Sequence, residues 1–235
     1  MRLILIPAFA CDARLYGSLI ELLRGDYDCA VVIPAEPTME ACAAAALAEA
    51  GEGPFIVCGT SFGGHVAREM AFAAPDRIAG LIVMGAGAGA PASQAVYDER
   101  HAAIENGRAG EMLETMARAI VFEEEGRGEA AADMFRAMAA AADPAVLLAQ
   151  NAALARRPDR RDDVARLACR TLLIWGEEDR FSPPADGADM AARMVQAEYV
   201  TLTDCGHLPS LEAPMRVAAE IRRVFVPSGR GGTLA

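Results

Sequence analysis

Three residues far apart in the chain have the types needed for nucleophilic acyl chemistry: Ser61, Asp179 and His207. A serine hydroxyl is a poor nucleophile until a base takes its proton, and an imidazole serves as that base when an acid fixes its tautomer. Ser61 lies in Gly59-Thr60-Ser61-Phe62-Gly63, a G-x-S-x-G pattern. The apolar run Phe55-Ile56-Val57-Cys58 enters it, and a helical pattern from Gly64 to Ala74 leaves it. A sharp strand-to-helix turn lifts the serine Oγ out of the backbone. It also crowds the residues two before and two after, where glycine has no Cβ to clash. A chance match in a glycine-rich chain would not carry both flanks.

The base must come from elsewhere, and the chain has three histidines. His207, in Asp204-Cys205-Gly206-His207-Leu208-Pro209, follows the apolar run Tyr199-Val200-Thr201-Leu202. It therefore falls in a loop at the C-terminal end of a strand, where sites of open parallel sheets collect. His65 sits on the helix after Ser61 and reads as packing or solvent-facing, while His101 lies in a polar helical segment and reads as exposed. For the orienting acid, the buried-strand run Thr171–Trp175 leads into Gly176-Glu177-Glu178-Asp179. Asp179 is the choice, ahead of Glu178 and then Glu177. An isolated acidic turn would be solvated. The chain order serine, acid, histidine, each at a strand end, points instead to a working set.

These segments together resemble the α/β-hydrolase family over nearly the whole chain. Gly59 to Gly64 resembles its nucleophile elbow, and Gly176-Glu177-Glu178-Asp179 with Pro183 resembles its acid turn. Gly206-His207-Leu208-Pro209 with Glu212 and Pro214 resembles its histidine loop, and Pro75-Asp76-Arg77-Ile78 the connection after the elbow helix. The resemblance implies the fold and a Ser61–Asp179–His207 triad, and leaves the substrate open, since this fold hosts many chemistries. One departure stands out. Many members carry His-Gly in the loop that supplies half of the oxyanion hole, whereas this chain has Pro7-Ala8. The hole needs only backbone N–H groups, and those of Phe9 and Phe62 are expected to form it. Ala8 in place of glycine restricts that loop to ordinary dihedrals. Asp12 reads as the N-cap of a helix from Ala13 to about Leu23.

The elements that must position these residues read as one α/β domain. Its 235 residues suit a doubly wound, mostly parallel sheet of about six strands with a helical lid insertion, lacking the family's usual leading strands. The expected strands are Leu3–Ile6, Ala30–Ile33, Phe55–Cys58, Leu81–Met84, Thr171–Trp175 and Tyr199–Leu202. Their near-continuous apolar character suits strands buried on both faces. A helix over Glu212–Phe225 presents Val217, Ala218, Ile221, Val224 and Phe225 as one stripe. Residues 1–90 and 169–226 form the expected core, and the glycine-rich residues 227–235 an expected frayed tail. Residues 91–168 are too many for a connecting loop. In this fold such an insertion forms a lid over the catalytic face. Asp143-Pro144 reads as an N-cap followed by proline at the first helical position, in a helix that ends before Pro158, and Glu123–Gly126 as a solvated loop. The pairs Met112 with Met116 and Met134 with Met138 read first as lid packing. Met112, Met138 and Phe181 are also the candidate substrate contacts.

Composition bounds the setting. The formal charge is −11, and all 22 basic residues are arginine, a compositional bias beside abundant alanine. That balance argues against a nucleic-acid partner, which needs a basic face. The six cysteines form no C-x-x-C pair and no zinc spacing, and read as reduced thiols in a cytoplasmic protein. Cys11 and Cys205, near the proposed loops, read as small hydrophobes rather than second nucleophiles. A strand begins almost at the N-terminus, so no signal peptide is expected, and no apolar run is long enough to span a membrane. The expected activity is hydrolysis of a small-molecule acyl substrate (an ester, thioester or lactone) in an apolar cleft of modest size, with no cofactor and no metal. Two alternatives keep the fold: carbon–carbon cleavage, lyase or acyl-transfer chemistry on the same residues, and ligand binding without turnover. The complete serine–acid–histidine order stands against the last.

Overall fold

Six parallel strands line up so that their C-terminal ends form one edge. In the computed structural model, which describes residues 1–225, these are β1 (Arg2–Ile6), β2 (Asp28–Val31), β3 (Phe55–Thr60), β4 (Ile78–Met84), β5 (Thr171–Gly176) and β6 (Ala197–Leu202). Their order is β2-β1-β3-β4-β5-β6. Ile6 pairs with Gly59, Thr60 with Met84, and Gly176 with Leu202, so the register brings the site-bearing strand ends level. β3 and β5 are buried throughout, whereas the edge strands β2 and β6 are mostly half-buried. Apolar runs sit where both faces are covered by helices. The expected tail, residues 227–235, lies outside the described residues.

Helices flank the sheet. α1 (Gly17–Leu23) follows a short 3-10 turn over Ala13–Tyr16, and the Asp12 carboxylate accepts from the Arg14 N–H as expected of a cap. α2 (Met39–Glu49) packs on α3 (Phe62–Ala73), the helix that leaves Ser61. Beyond the lid, α8 (Pro184–Arg193) packs on β5 and β6, and α10 (Pro214–Phe225) packs on α1. The helix expected over Glu212–Phe225 breaks at Ala213 into α9 (Pro209–Glu212) and α10. Pro214 forces this, because its ring disfavours helical dihedrals in the preceding residue, and Ala213 is extended in φ at −141°. Val217, Ala218, Ile221 and Val224 form the buried stripe, with Phe225 half-buried beside them. β2 starts two residues earlier than its apolar run, because the Asp28 N–H already bonds the Met1 carbonyl; Pro34 lies just past its end.

Four helices stand between β4 and β5: α4 (Gln94–Glu105), α5 (Ala109–Ile120), α6 (Glu129–Ala140) and α7 (Pro144–Ala155). α4 packs on α7, and α5 on α6. Asp143 caps α7 by accepting from the Ala145 N–H at 2.8 Å, with Pro144 at the first helical position. The turn between α5 and α6 is exposed at Glu123, Glu125 and Gly126, while Glu124 pairs with Arg136. The segment after α7 is fixed to α3 by a two-pronged ion pair, Arg160 to the buried Glu69, at 3.0 and 2.7 Å. Within the lid, Phe135 and Met138 are fully buried. Truncating Met138 removes buried methylenes from packed helices, so Met138→Ala should lower the unfolding free energy by about 2–5 kcal/mol. Urea denaturation checks this, and acyl-chain preference should stay unchanged in the same variant.

Candidate active site

Ser61 is held at φ +53°, ψ −116°, a left-handed conformation that an L-residue adopts only when its surroundings impose it. The imposition is visible. β3 runs straight into the turn, the Ser61 N–H bonds the Met84 carbonyl at 2.8 Å, and α3 begins at Phe62. A Cβ on Gly59 would overlap the Gly63 carbonyl, and one on Gly63 would overlap the Ile6 carbonyl at the end of β1. Tyr16, fully buried, locks the same corner. Its hydroxyl donates to the Ile6 carbonyl at 2.8 Å and lies 2.9 Å from Thr60 Oγ1.

Asp179 and His207 meet beside this turn. Nδ1 of His207 lies 2.8 Å from each Asp179 carboxylate oxygen, with His207 4% and Asp179 5% exposed. Asp179 Oδ1 also accepts from the Phe181 and Ser182 N–H groups, each at 2.9 Å. Glu177 and Glu178 point to solvent. The choice of Asp179 from the acidic run therefore rests on a buried, triply hydrogen-bonded carboxylate. With Nδ1 donating to Asp179, Nε2 is the nitrogen free to act as a base. His207 and Ser61 line one cavity of about 600 Å³. That is within the range for small-molecule sites.

The two loops that carry Asp179 and His207 touch at Gly176, where a Cβ would overlap the Cys205 and Gly206 carbonyls. The Glu178 N–H bonds the Cys205 carbonyl at 3.0 Å across the same contact. Glu212 fixes the histidine loop from below: its carboxylate accepts from Gly206 and Leu208, on either side of His207, and from Phe122 in the lid. The His207 N–H itself donates to Ile120 at the end of α5. Burial raises the Glu212 pKa, and the three N–H donors oppose that rise.

Phe9 and Phe62, the expected oxyanion donors, stand just past the end of β1 and at the start of α3. The Ala8–Cys11 turn closes with the Cys11 N–H on the Ala8 carbonyl at 3.1 Å. The left-handed residue is Ala10, at φ +60°, not Ala8, so the loop meets its conformational demand two residues past the missing glycine. The Phe9 N–H has no protein acceptor among the described residues. Phe62 opens α3, where an N–H has no intrahelical acceptor. Both side chains are buried, and Ala8 and Phe9 line the cavity.

Of the three expected substrate contacts, Phe181 lines the cavity, its ring centroid 5.2 Å from that of His207. Met138 and Met112 do not. Met138 faces the lid core, and Met112 packs half-buried against that core one position off the buried Leu113 stripe. Met116, one turn further along α5, reaches the cavity instead. The cleft expected to be apolar is also charged, lined by Arg100, Arg157, Arg161, Asp186 and Asp189. His65, read from sequence as packing or solvent-facing, is buried at the cavity wall with Nδ1 2.8 Å from Arg68 Nη2. Its place on α3 gave no signal, because only the tertiary fold turns that face of the helix inward. Cys11 and Cys205 are buried away from the cavity, and burial raises both thiols far above the range of a reactive thiolate.

The sequence pattern of the alpha/beta hydrolase family matches residues 3–220, and the chain belongs to that family. Among curated proteins it is 30% identical over 171 residues to a 2-hydroxy-6-oxononadienedioate/2-hydroxy-6-oxononatrienedioate hydrolase of Paraburkholderia xenovorans. That match takes in 64% of this chain and 55% of that protein, so the chain spans about half the length of this relative. It is 28% identical over 207 residues to lipase LipV of Mycobacterium tuberculosis, covering 78% of this chain and 73% of the lipase. Among solved structures, a malate-bound thermophilic esterase from Thermogutta terrifontis superposes with a TM-score of 0.85. It is 29% identical, and the superposition covers 95% of this chain and 88% of that one.

Burial, followed by the neighbouring Arg68 cation, depresses the His65 pKa well below its ordinary 6.5. The unfolded chain therefore takes up this proton first as the pH falls. The neutral imidazole's contribution to stability is present above about pH 6.5 and is lost as the pH drops through the folded value. The melting temperature of the wild type should fall between about pH 7.5 and pH 5, and that of His65→Asn should fall less. Scanning calorimetry across that range reads the difference.

Proposed function

We propose that this alpha/beta hydrolase family member is a serine hydrolase that cleaves a small carboxylic ester, thioester or lactone through an acyl-enzyme. The observation that carries the reading is a strained Ser61 that lines one cavity with a buried His207, whose Nδ1 is held by Asp179. In this reading Ser61 Oγ attacks the carbonyl carbon while His207 Nε2 takes its proton. The Phe9 and Phe62 N–H groups bind the oxyanion, worth about 2.7–4 kcal/mol per donor in the transition state. His207 then returns the proton to the leaving alcohol, thiol or lactone oxygen as the acyl–oxygen or acyl–sulfur bond breaks. A water, deprotonated by His207, attacks the acyl-enzyme and releases the acid, returning the proton to Ser61. Asp179 holds the imidazole in one tautomer and stabilises the imidazolium.

The similarity to an esterase and a lipase supports ester cleavage. A second reading, carbon–carbon bond hydrolysis on the same residues, is favoured by the 30% identity to a hydrolase named for a 6-oxo dienedioate. The substrate is a small molecule of short or medium chain in either case. The cytoplasm is the proposed setting, in keeping with six free cysteines. No single helix among the described residues is long and apolar enough to cross a membrane.

A fluorophosphonate probe should modify wild-type protein on Ser61 and leave Ser61→Ala untouched; peptide mapping that puts the label on Cys11, or equal labelling of both proteins, would overturn the nucleophile. Asp179→Asn should lower kcat by roughly four orders of magnitude. Glu178→Gln should leave it nearly unchanged, and the reverse pattern would reassign the acid. A panel of 4-nitrophenyl esters of increasing chain length, run beside a vinylogous 1,5-diketone, separates the two reactions. Met116→Ala should shift the preferred chain length in the same panel.

A further inference from the structure

We propose that the substrate carries a carboxylate in addition to its reacting carbonyl group, and that Arg100 receives it. This names the substrate class of the site, and only its turnover test rests on the ester-hydrolase reading above. Arg100 projects from α4 into the cavity, its Cζ 4.7 Å from the Phe9 ring centroid and 5.4 Å from that of Tyr97. Stacking engages the flat faces of a guanidinium and leaves its in-plane N–H donors free. Among the described residues no carboxylate, carbonyl or hydroxyl takes those donors.

Among the described residues Arg108, Arg156 and Arg180 also lack a side-chain partner, but all three are exposed and Arg100 is not. Acidic residues outnumber basic ones 33 to 22, so partners are abundant. Arg136 holds Glu114 and Glu124, Arg160 holds Glu69, and Arg161, also at the cavity, holds Asp159. Arg100 is half-buried and has none of these, although a buried cation without a partner is costly. Burial pulls its pKa below the usual arginine value, but a guanidinium remains charged at neutral pH. A second cation adds to the field. Arg157 lies 5.7 Å from the same Tyr97 ring and donates to the Tyr97 hydroxyl at 2.6 Å and the Gly89 carbonyl at 3.2 Å, with no carboxylate partner. It fixes Tyr97, against which Arg100 stacks. The cavity's own carboxylates do not serve. Asp189 is taken by Arg193, and Asp186 packs at Gly87.

The position defines the geometry of the ligand. Phe9 supplies a proposed oxyanion donor, and Arg100 lies over its ring, so an anion on Arg100 sits on the Phe9 side of the carbonyl that Ser61 attacks. A planar carboxylate matches the guanidinium fork in a two-pronged contact that a neutral ester or alkyl end cannot make.

Binding of hexanamide and of 6-amino-6-oxohexanoate (adipamate), neutral-amide carbonyl compounds that differ by one terminal carboxylate, tests this without ester turnover. Calorimetric titration of the wild type should give adipamate a Kd about 10–100-fold lower than hexanamide, the span expected for a hydrogen bond to a charged group. Arg100→Gln should abolish the difference and change hexanamide binding by less than about threefold, and Arg100→Lys should keep part of it by retaining the charge. Equal binding of the two amides by the wild type, or equal weakening of both in Arg100→Gln, overturns the proposal. The same comparison with the 4-nitrophenyl monoester of adipic acid and 4-nitrophenyl hexanoate reads kcat/KM. If neither ester turns over while adipamate binding still depends on Arg100, the subsite stands and ester hydrolysis falls. If both turn over with no preference and no dependence on Arg100, the subsite falls and hydrolysis stands.

Discussion

A carboxylate buried without donors is so costly that it would be protonated or expelled, and Asp179 is buried completely in its side chain. It stays inside because three N–H groups converge on it: His207 Nδ1 and the backbones of Phe181 and Ser182. Much of the architecture around the cavity serves that convergence. β5 and β6 must end level, their loops must touch at Gly176, and the histidine loop must be fixed from another side. Glu212 does the last, spending one carboxylate on three backbone donors that span the loop and the lid.

The same economy governs the nucleophile turn. Its left-handed serine is strained by an amount of order 1–3 kcal/mol, and the sheet over-determines it. β1, β3 and α3 approach so closely at Gly59 and Gly63 that no other residue type fits. Tyr16 closes the corner with two buried hydrogen bonds. The lid is bound to this frame at two places: Arg160, after α7, reaches Glu69 on the elbow helix, and Ile120 and Phe122, at and just past the end of α5, meet the histidine loop and Glu212. The lid thereby contacts the loop that carries His207 directly. The charged cavity wall follows from the lid's sequence, since α4 brings Arg100 and the segment after α7 brings Arg157 and Arg161.

The sheet and the positions of Ser61, Asp179 and His207 were legible because each is written locally. An apolar run followed by a glycine-bearing turn marks a strand end, and a dihedral requirement such as that of the elbow restricts residue type. The choice of Asp179 over Glu178 was legible only as its place in the turn, four residues before Pro183, and burial made it concrete. What could not be read was long-range. Nothing near Arg100 in the sequence marks it as unpaired, because its absent partner would have come from another element. Met112 and Met116 are one helical turn apart, and only packing decides which one reaches the cavity. His65 is packed, one of the two roles open to it in the sequence, and its place at the cavity wall was illegible for the same reason. The break at Ala213 was available in the sequence, in Pro214, and was outweighed by the longer apolar stripe.

The account rests on Asp179 holding the Nδ1 proton of His207, and proton NMR in water observes that proton directly. Wild-type protein should give a far-downfield, exchange-protected resonance that disappears in both His207→Gln and Asp179→Ala and survives in Glu178→Gln. A wild type without such a resonance, or one whose resonance survives Asp179→Ala and vanishes in Glu178→Gln, would contradict the arrangement on which the site is built.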